Sequence, residues 1–177
     1  MAQRQLRLQL SAGELLPNSL SWLIEDGYVM LSSWSDDHTQ TTLGIWGPGD
    51  LVIPALIRDR PLQLSSLSAV VVVERVATAE EQQAFLSQHV LQLTTLLELA
   101  RIRSAEERLF RMLAWLGTRF GQVGNQEVSL PFSSMNLTHR NLADMTGMTR
   151  VTITKALIRF RQEGRLFKQG NDELLRL

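Results

Sequence analysis

Seven consecutive residues, Thr149-Arg-Val-Thr-Ile-Thr-Lys155, combine a helix-capping hydroxyl, two basic side chains and an aliphatic one at spacings that a helix sorts onto one face. Ile153, Ala156, Leu157 and Phe160 recur at helical spacing on the inner side, which leaves Arg150, Val151, Thr152, Lys155 and Arg159 on or near the outer side. Such a set can recognise the edges of base pairs. An arginine donates two hydrogen bonds to guanine O6 and N7, a valine packs on the thymine methyl, and a lysine reaches a base acceptor or a phosphate. Thr138, His139, Thr149 and Thr152 fall closer to helix ends, where they suit phosphate contacts that set register without reading sequence.

The elements that must position these groups are written around them. Residues 137–157 have the spacing of two short helices crossing at a tight turn: Thr138 caps the first, Leu142 faces the core, Ala143 is small where the helices approach, Gly147 supplies a turn needing positive φ, and Thr149 caps the second. The first turn of such a second helix is the part that enters a DNA major groove. After Gly164, residues 166–177 read as a hairpin turning at Gly170-Asn171, the wing of a winged helix. Upstream, Ser104-Ala-Glu-Glu107 is a capping box opening a helix whose Leu109, Leu113, Leu116 and Phe120 make an apolar stripe that Gly121 ends. Glu127–Phe132 is a short extended piece, and a loop at 133–136 leads to the helix pair.

Charge divides along the same line. Residues 1–100 hold 5 Lys and Arg against 11 Asp and Glu, residues 101–177 hold 13 against 7, and the formal total is zero. A basic C-terminal part suits a polyanion partner, since neutralising phosphates supplies most non-specific nucleic-acid affinity. Between about 20 and 76 the chain reads as strands: Leu20–Ile24, Tyr28–Leu31, Thr41–Trp46 and Ala69–Val73, separated by the turns Glu25-Asp-Gly27, Ser35-Asp-Asp-His38 and Gly47-Pro-Gly-Asp50. A meander or small barrel fits this pattern. From Thr78 the pattern becomes a long helix, with Glu80 and Glu81 in its first turn and a hinge between Leu99 and Ser104. Leu86, Val90, Leu93, Leu97 and Ala100 recur at steps of four and three, the a/d spacing of a two-helix seam, and Leu96, Leu99 and Ile102 form a second apolar edge. Two readings stay open for the first edge: a core contact within one subunit, or a homodimer seam.

Other chemistry is poorly supported. With no cysteine in 177 residues, a disulfide framework, a thiolate nucleophile and a Cys-ligated zinc or iron–sulfur cluster are excluded. No Ser-His-Asp set, metal-spaced histidines or Gly-rich phosphate loop is visible, so no enzyme activity and no cofactor are expected. His38, His89 and His139 have no second ligand nearby in sequence for a haem, and His89, beside the seam, reads as a partly buried structural histidine. Trp22, Trp34, Trp46 and Trp115 read as packing. No run approaches the roughly 18 apolar residues of a membrane span, and the first ten residues hold no signal core, so a cytoplasmic location without membrane contact is expected.

The helix pair and wing resemble the C-terminal domain of the Crp/Fnr superfamily of bacterial transcription regulators. Ile45-Trp-Gly-Pro-Gly-Asp-Leu-Val-Ile-Pro-Ala-Leu56 resembles a turn of that family's β-roll, and Arg103–Leu109 through Arg119-Phe-Gly121 resembles the helix opening its DNA-binding domain. The resemblance implies an α+β chain: a truncated β-roll of cyclic-nucleotide-binding type over 1–77, a dimerisation helix over 78–102 and a winged helix-turn-helix over 103–177. It implies a homodimer binding palindromic double-stranded DNA with half-sites about 34 Å apart. The phosphate-binding pattern of the cyclic-nucleotide members is missing from Ile57–Ala69, where Arg58 and Arg60 are the residual anion-site candidates, and the roll is expected to begin close to the family's middle strands. Thr149–Lys155 is similar to the recognition helix of cyanobacterial nitrogen-control regulators, with Lys155 where those have arginine, which implies a site of the form GTA-N8-TAC. The competing reading is an interaction subunit whose acidic roll docks a partner such as RNA polymerase, with DNA binding secondary.

Overall fold

The structure, a computed structural model, describes residues 5–36, 39–57, 61–170 and 172–177. Asp37 and His38 of the expected turn, the anion-site candidates Arg58 and Arg60, and Asn171 of the wing turn lie outside the described residues. The chain divides into two compact units, Met1–Leu96 and Leu97–Leu177.

Among its described residues the first unit carries eight strands: β1 (Arg7–Leu10), β2 (Leu15–Leu16), β3 (Trp22–Asp26), β4 (Val29–Trp34), β5 (Gln40–Trp46), β6 (Leu51–Val52), β7 (Leu62–Ser66) and β8 (Val70–Glu74). They pair in two four-stranded sheets, ordered β1-β8-β3-β6 and β2-β7-β4-β5, and every pairing is antiparallel. Alternation explains the layering. Trp22 and Ile24 on β3, Val29 and Leu31 on β4, Leu64 on β7 and Val70 and Val72 on β8 turn to one core, joined by Trp46 and Val52. Gly27 closes the β3–β4 turn with φ 81°, and a Cβ there would run into the Ala69 carbonyl, so both conformation and space demand glycine.

β1 pairs with Val70–Val73 of β8, so the first described strand lies against the last of the roll, and β2 and β6 have two residues each.

Helix α1 (Ala79–Arg101) opens with a capping box: Thr78 Oγ1 accepts from the Glu81 amide at 3.2 Å and Glu81 Oε2 accepts from the Thr78 amide at 2.9 Å. That amide, with Arg75 beside it, holds the Glu81 carboxyl below the usual carboxylate range. One edge of α1 is buried through Phe85, His89, Gln92 and Leu99. Gln92 Oε1 accepts from the Ile45 amide of β5 at 2.8 Å, and Phe85 and His89 stack on Trp46. These contacts bind the first turns of the helix to the roll, and the two compact units divide inside α1, after Leu96. The spacing predicts this edge through Leu96, Leu99 and Ile102. It begins earlier because polar His89 and Gln92 belong to it, with His89 one turn from the expected seam positions Leu86 and Leu93. Those positions are open: Leu86, Val90, Leu97 and Ala100 are exposed and Leu93 is half-buried. No helix among the described residues is long and apolar enough to cross a membrane.

The second unit holds α2 (Ala105–Phe120), β9 (Glu127–Leu130), α3 (His139–Thr146), α4 (Arg150–Gln162), β10 (Leu166–Gln169) and β11 (Asp172–Arg176), with sheet order β10-β11-β9. The predicted stripe of α2 is buried through Leu109, Leu113 and Leu116. Gly121 does end α2, but in an extended and not a left-handed conformation (φ −101°); a Cβ would collide with the Ser129 carbonyl, so close approach of β9 is the reason for glycine.

Candidate nucleic-acid interface

Three hydroxyl caps set the interface helices. Ser104 Oγ accepts from the Glu107 amide at 3.3 Å, Thr138 Oγ1 from the Asn141 amide at 3.1 Å and Thr149 Oγ1 from the Thr152 amide at 3.2 Å. Gly147, between α3 and α4, has φ 66°, and a Cβ added there would meet no atom within 4 Å, so here conformation alone selects glycine. Leu142, Ala143, Ile153, Ala156, Leu157 and Phe160 are buried as their spacing predicts. Phe160 meets Phe110 of α2 edge to face at 5.9 Å, and the Arg165 guanidinium lies 3.9 Å from the Phe110 ring centre.

With the inner side fixed, the outer side follows. Thr149, Arg150, Val151 and Lys155 are exposed, Val151 to 63%, and Thr152 is half-buried. Five acids of this unit are engaged with other arginines: Glu107 pairs with Arg111, Glu106 and Glu163 with Arg159, Glu173 with Arg161 and Glu127 with Arg176. Arg150 and Lys155 make no ion pair with any described residue, and the first turns of α3 and α4 contain no acid. The result is uncompensated positive charge at the start of α4, reinforced by the two helix N-termini.

The remaining predicted residues divide by what already holds them. Thr138 and Thr149 hydroxyls cap their own helices while staying exposed. His139 Nδ1 lies 2.8 Å from Thr154 Oγ1, and Thr154 Oγ1 donates to the Arg150 carbonyl at 2.9 Å, so the imidazole ties α3 to the first turn of α4. Arg159 is on the outer side but is held by Glu163 and Glu106, each at 2.8 Å; Glu106 is remote in sequence, which is why residue spacing alone did not show the pairing. Two residues escaped the sequence reading. Thr154 is a linker whose role appears only when α3 and α4 are packed, and Arg140, 78% exposed on the first turn of α3 and 4.0 Å from Asp144, was legible as a basic residue just after a cap. Burial raises the Asp144 carboxyl above the usual aspartate range, and Arg140 opposes that rise. Arg108 donates from Nη1 to the Thr146 carbonyl and from Nε and Nη2 to the Ile102 carbonyl, joining the end of α3 to the segment before α2.

Residues 107–176 match the Crp-like helix-turn-helix domain. Over 172 residues, 96% of this chain and 84% of the relative, the sequence is 35% identical to the regulatory protein CysR of Synechococcus elongatus. The chain belongs to the Crp/Fnr family of transcription regulators. Solved structures share the fold across its length: FixK2 from Bradyrhizobium japonicum, with TM-score 0.74 at 16% identity over 98% of this chain and 93% of that one, and TTHA1359, a CRP/FNR family regulator from Thermus thermophilus, with TM-score 0.69 at 18% identity over 96% and 92%. In this Crp/Fnr chain the matched domain spans α2 to β11 and so contains every residue predicted to meet nucleic acid.

Proposed function

We propose that the chain acts as a homodimer that reads a palindromic promoter site in double-stranded DNA, with the first turns of α4 in the major groove. The observation that carries this reading is the side-chain arrangement at the start of α4: Arg150, Val151 and Lys155 exposed and without acidic partners, on a helix whose other side is locked into the core. Arg150 reads a guanine, Val151 packs on a thymine methyl and Lys155 reaches a base or phosphate. Thr138, His139, Arg140, Thr149 and Thr152 approach phosphates, and Arg159 joins them by sharing its guanidinium with Glu106 and Glu163.

The exposed row Leu86, Val90, Leu97 and Ala100, with half-buried Leu93, supports a symmetric α1 seam. Filling of the roll by Trp22, Ile24, Leu31, Trp46 and Leu64 supports action without a cyclic nucleotide. The operator type GTA-N8-TAC follows from the likeness of Thr149–Lys155 to nitrogen-control recognition helices, and Lys155 in place of arginine loosens one base contact, since lysine lacks the two-pronged donor.

The test is binding of the full chain to a GTA-N8-TAC duplex and to a scrambled duplex at about 50 and about 200 mM salt. Specific binding that falls by orders of magnitude over that range is expected for a dimer touching several phosphates. Equal, weak binding to both duplexes refutes the operator, and salt-insensitive binding refutes the interface.

A further inference from the structure

A threonine hydroxyl has a single hydrogen, and at Thr154 its destination decides the protonation of the ring beside it. Thr154 Oγ1 lies 2.9 Å from the Arg150 carbonyl oxygen and 2.8 Å from His139 Nδ1. A carbonyl can only accept, so the hydroxyl hydrogen goes to Arg150 and the hydroxyl oxygen accepts from the ring. The opposite arrangement, with the hydroxyl donating to Nδ1, leaves two oxygens 2.9 Å apart with no hydrogen between them and makes one hydrogen bond where two can form. His139 Nδ1 therefore carries a hydrogen. In the neutral ring Nε2 then has none and can only accept.

Nε2 is the nitrogen that is open. It makes no hydrogen bond to any described residue and is not among the buried polar atoms without a partner, so it meets solvent at the first residue of α3. The phosphate oxygens expected at that helix end are acceptors as well. The charged groups around the ring are Arg140 and Asp144 on its own helix, and Arg150 and Lys155 next to Thr154 on α4. In the first two turns of α2, Glu107 pairs with Arg111, Glu106 with Arg159, and Arg108 is bound to the Ile102 and Thr146 carbonyls. The loop at 131–138 carries no charge. None of these groups hydrogen-bonds to Nε2.

We propose that His139 contacts a DNA phosphate only as the imidazolium ion, so that each half-site takes up one proton as it binds. Nε2 takes that proton from solvent and donates it to the phosphate, Nδ1–H stays on Thr154, and dissociation returns the proton. This rests on the placement of α3 proposed above and adds to it the charge and the proton. Thr154 is the positioning residue. By fixing the tautomer it turns a ring that could donate while neutral into one that binds phosphate only when charged.

The experiment measures affinity of the full chain for the GTA-N8-TAC and scrambled duplexes at constant salt between about pH 5.5 and 8.5, the range in which imidazoles change charge. A phosphate contact acts on both duplexes. Between the imidazole midpoints of bound and free protein, Kd is expected to rise about tenfold per pH unit for each half-site, and about a hundredfold for a dimer. H139N, whose amide replaces Nδ1 toward Thr154, and H139R, whose charge is permanent, are expected to give flat profiles, with H139R the tighter. H139N keeps the other two histidines, so their contribution appears equally in its profile. T154V is expected to flatten the profile too, because the freed neutral ring can carry its hydrogen on Nε2, and T154S to restore the slope. Long-range proton–nitrogen NMR of the free chain, with His139 assigned from H139N, is expected to show the neutral ring protonated at Nδ1. A neutral ring protonated at Nε2, a wild-type profile no steeper than that of H139N, or a T154V profile as steep as wild type overturns the proposal. Absence of binding to both duplexes at every pH refutes the interface and the proposal with it, whereas intact binding with a flat profile refutes the proton alone. Should T154V fail to fold, the H139N and H139R profiles and the ring spectrum decide.

Discussion

Replacing Leu97 by alanine is expected to weaken self-association by one to two orders of magnitude. Fully burying a leucine side chain stabilises by about 1.5–3 kcal/mol relative to leaving it in water. Leu97 is 66% exposed in the single chain, so covering what remains is worth about 1–2 kcal/mol. A two-fold seam removes that contact twice. Allowing for the methyl that alanine keeps, the dimer loses about 2–3 kcal/mol, or roughly 30- to 150-fold in Kd. Sedimentation equilibrium over a concentration series measures this directly. The control is built into the same helix: Leu91 is 69% exposed, slightly more than Leu97, but lies outside the a/d spacing. L91A should leave the Kd unchanged. Equal weakening by the two variants, or none by L97A, would refute a seam through Leu86, Val90, Leu93, Leu97 and Ala100.

Three further outcomes are expected. Arg150→Ala should cost about 1–3 kcal/mol per half-site and relax discrimination at one guanine, as read by competition with base-substituted duplexes; equal weakening on every duplex would make Arg150 a phosphate contact. Gly147→Ala should cost about 1–2 kcal/mol, since only the left-handed backbone resists it, whereas Gly121→Ala should cost more because β9 must move away from α2; urea melts giving the reverse order would contradict the geometry. His89 has its native pKa below its unfolded value of 6.5, so the unfolded chain binds more protons between the two values and stability rises with pH there. Without added ligand, the melting temperature should therefore fall as pH drops below 6.5 and level off below the native pKa, and H89F should flatten that part of the profile.

The helix pair that carries the candidate interface was legible where structure follows from local chemistry. A threonine before a helix, a glycine at a left-handed turn and aliphatic residues at helical spacing each act over a few residues, and Thr138, Gly147, Thr149, Ile153 and Phe160 stand where their types require. The roll was less legible because four strands lack a self-sufficient pattern. β2 and β6 are two residues long, β1 is half-exposed, and β7 is Leu-Gln-Leu-Ser-Ser, whose serines are buried beside β4 and resemble a loop until the partner strand is present. Long-range pairs were invisible for the same reason. Nothing near Arg159 announces Glu106, and nothing near His139 announces Thr154.

The hydrogen bond from Ile45 to Gln92 also determines where the molecule can be divided. β5 is the outermost strand of its sheet, and an outermost strand offers unpaired amides to any extended chain it meets. Here a glutamine from the following helix takes one of those amides, and the aromatic face of α1 shields the strand's end at Trp46. A fragment stopping at residue 77 would expose that border and invite self-addition, whereas one extending to residue 96 keeps its own cover. The helix whose exposed row we propose as a seam is thus, on its other side, the roll's protection against aggregation.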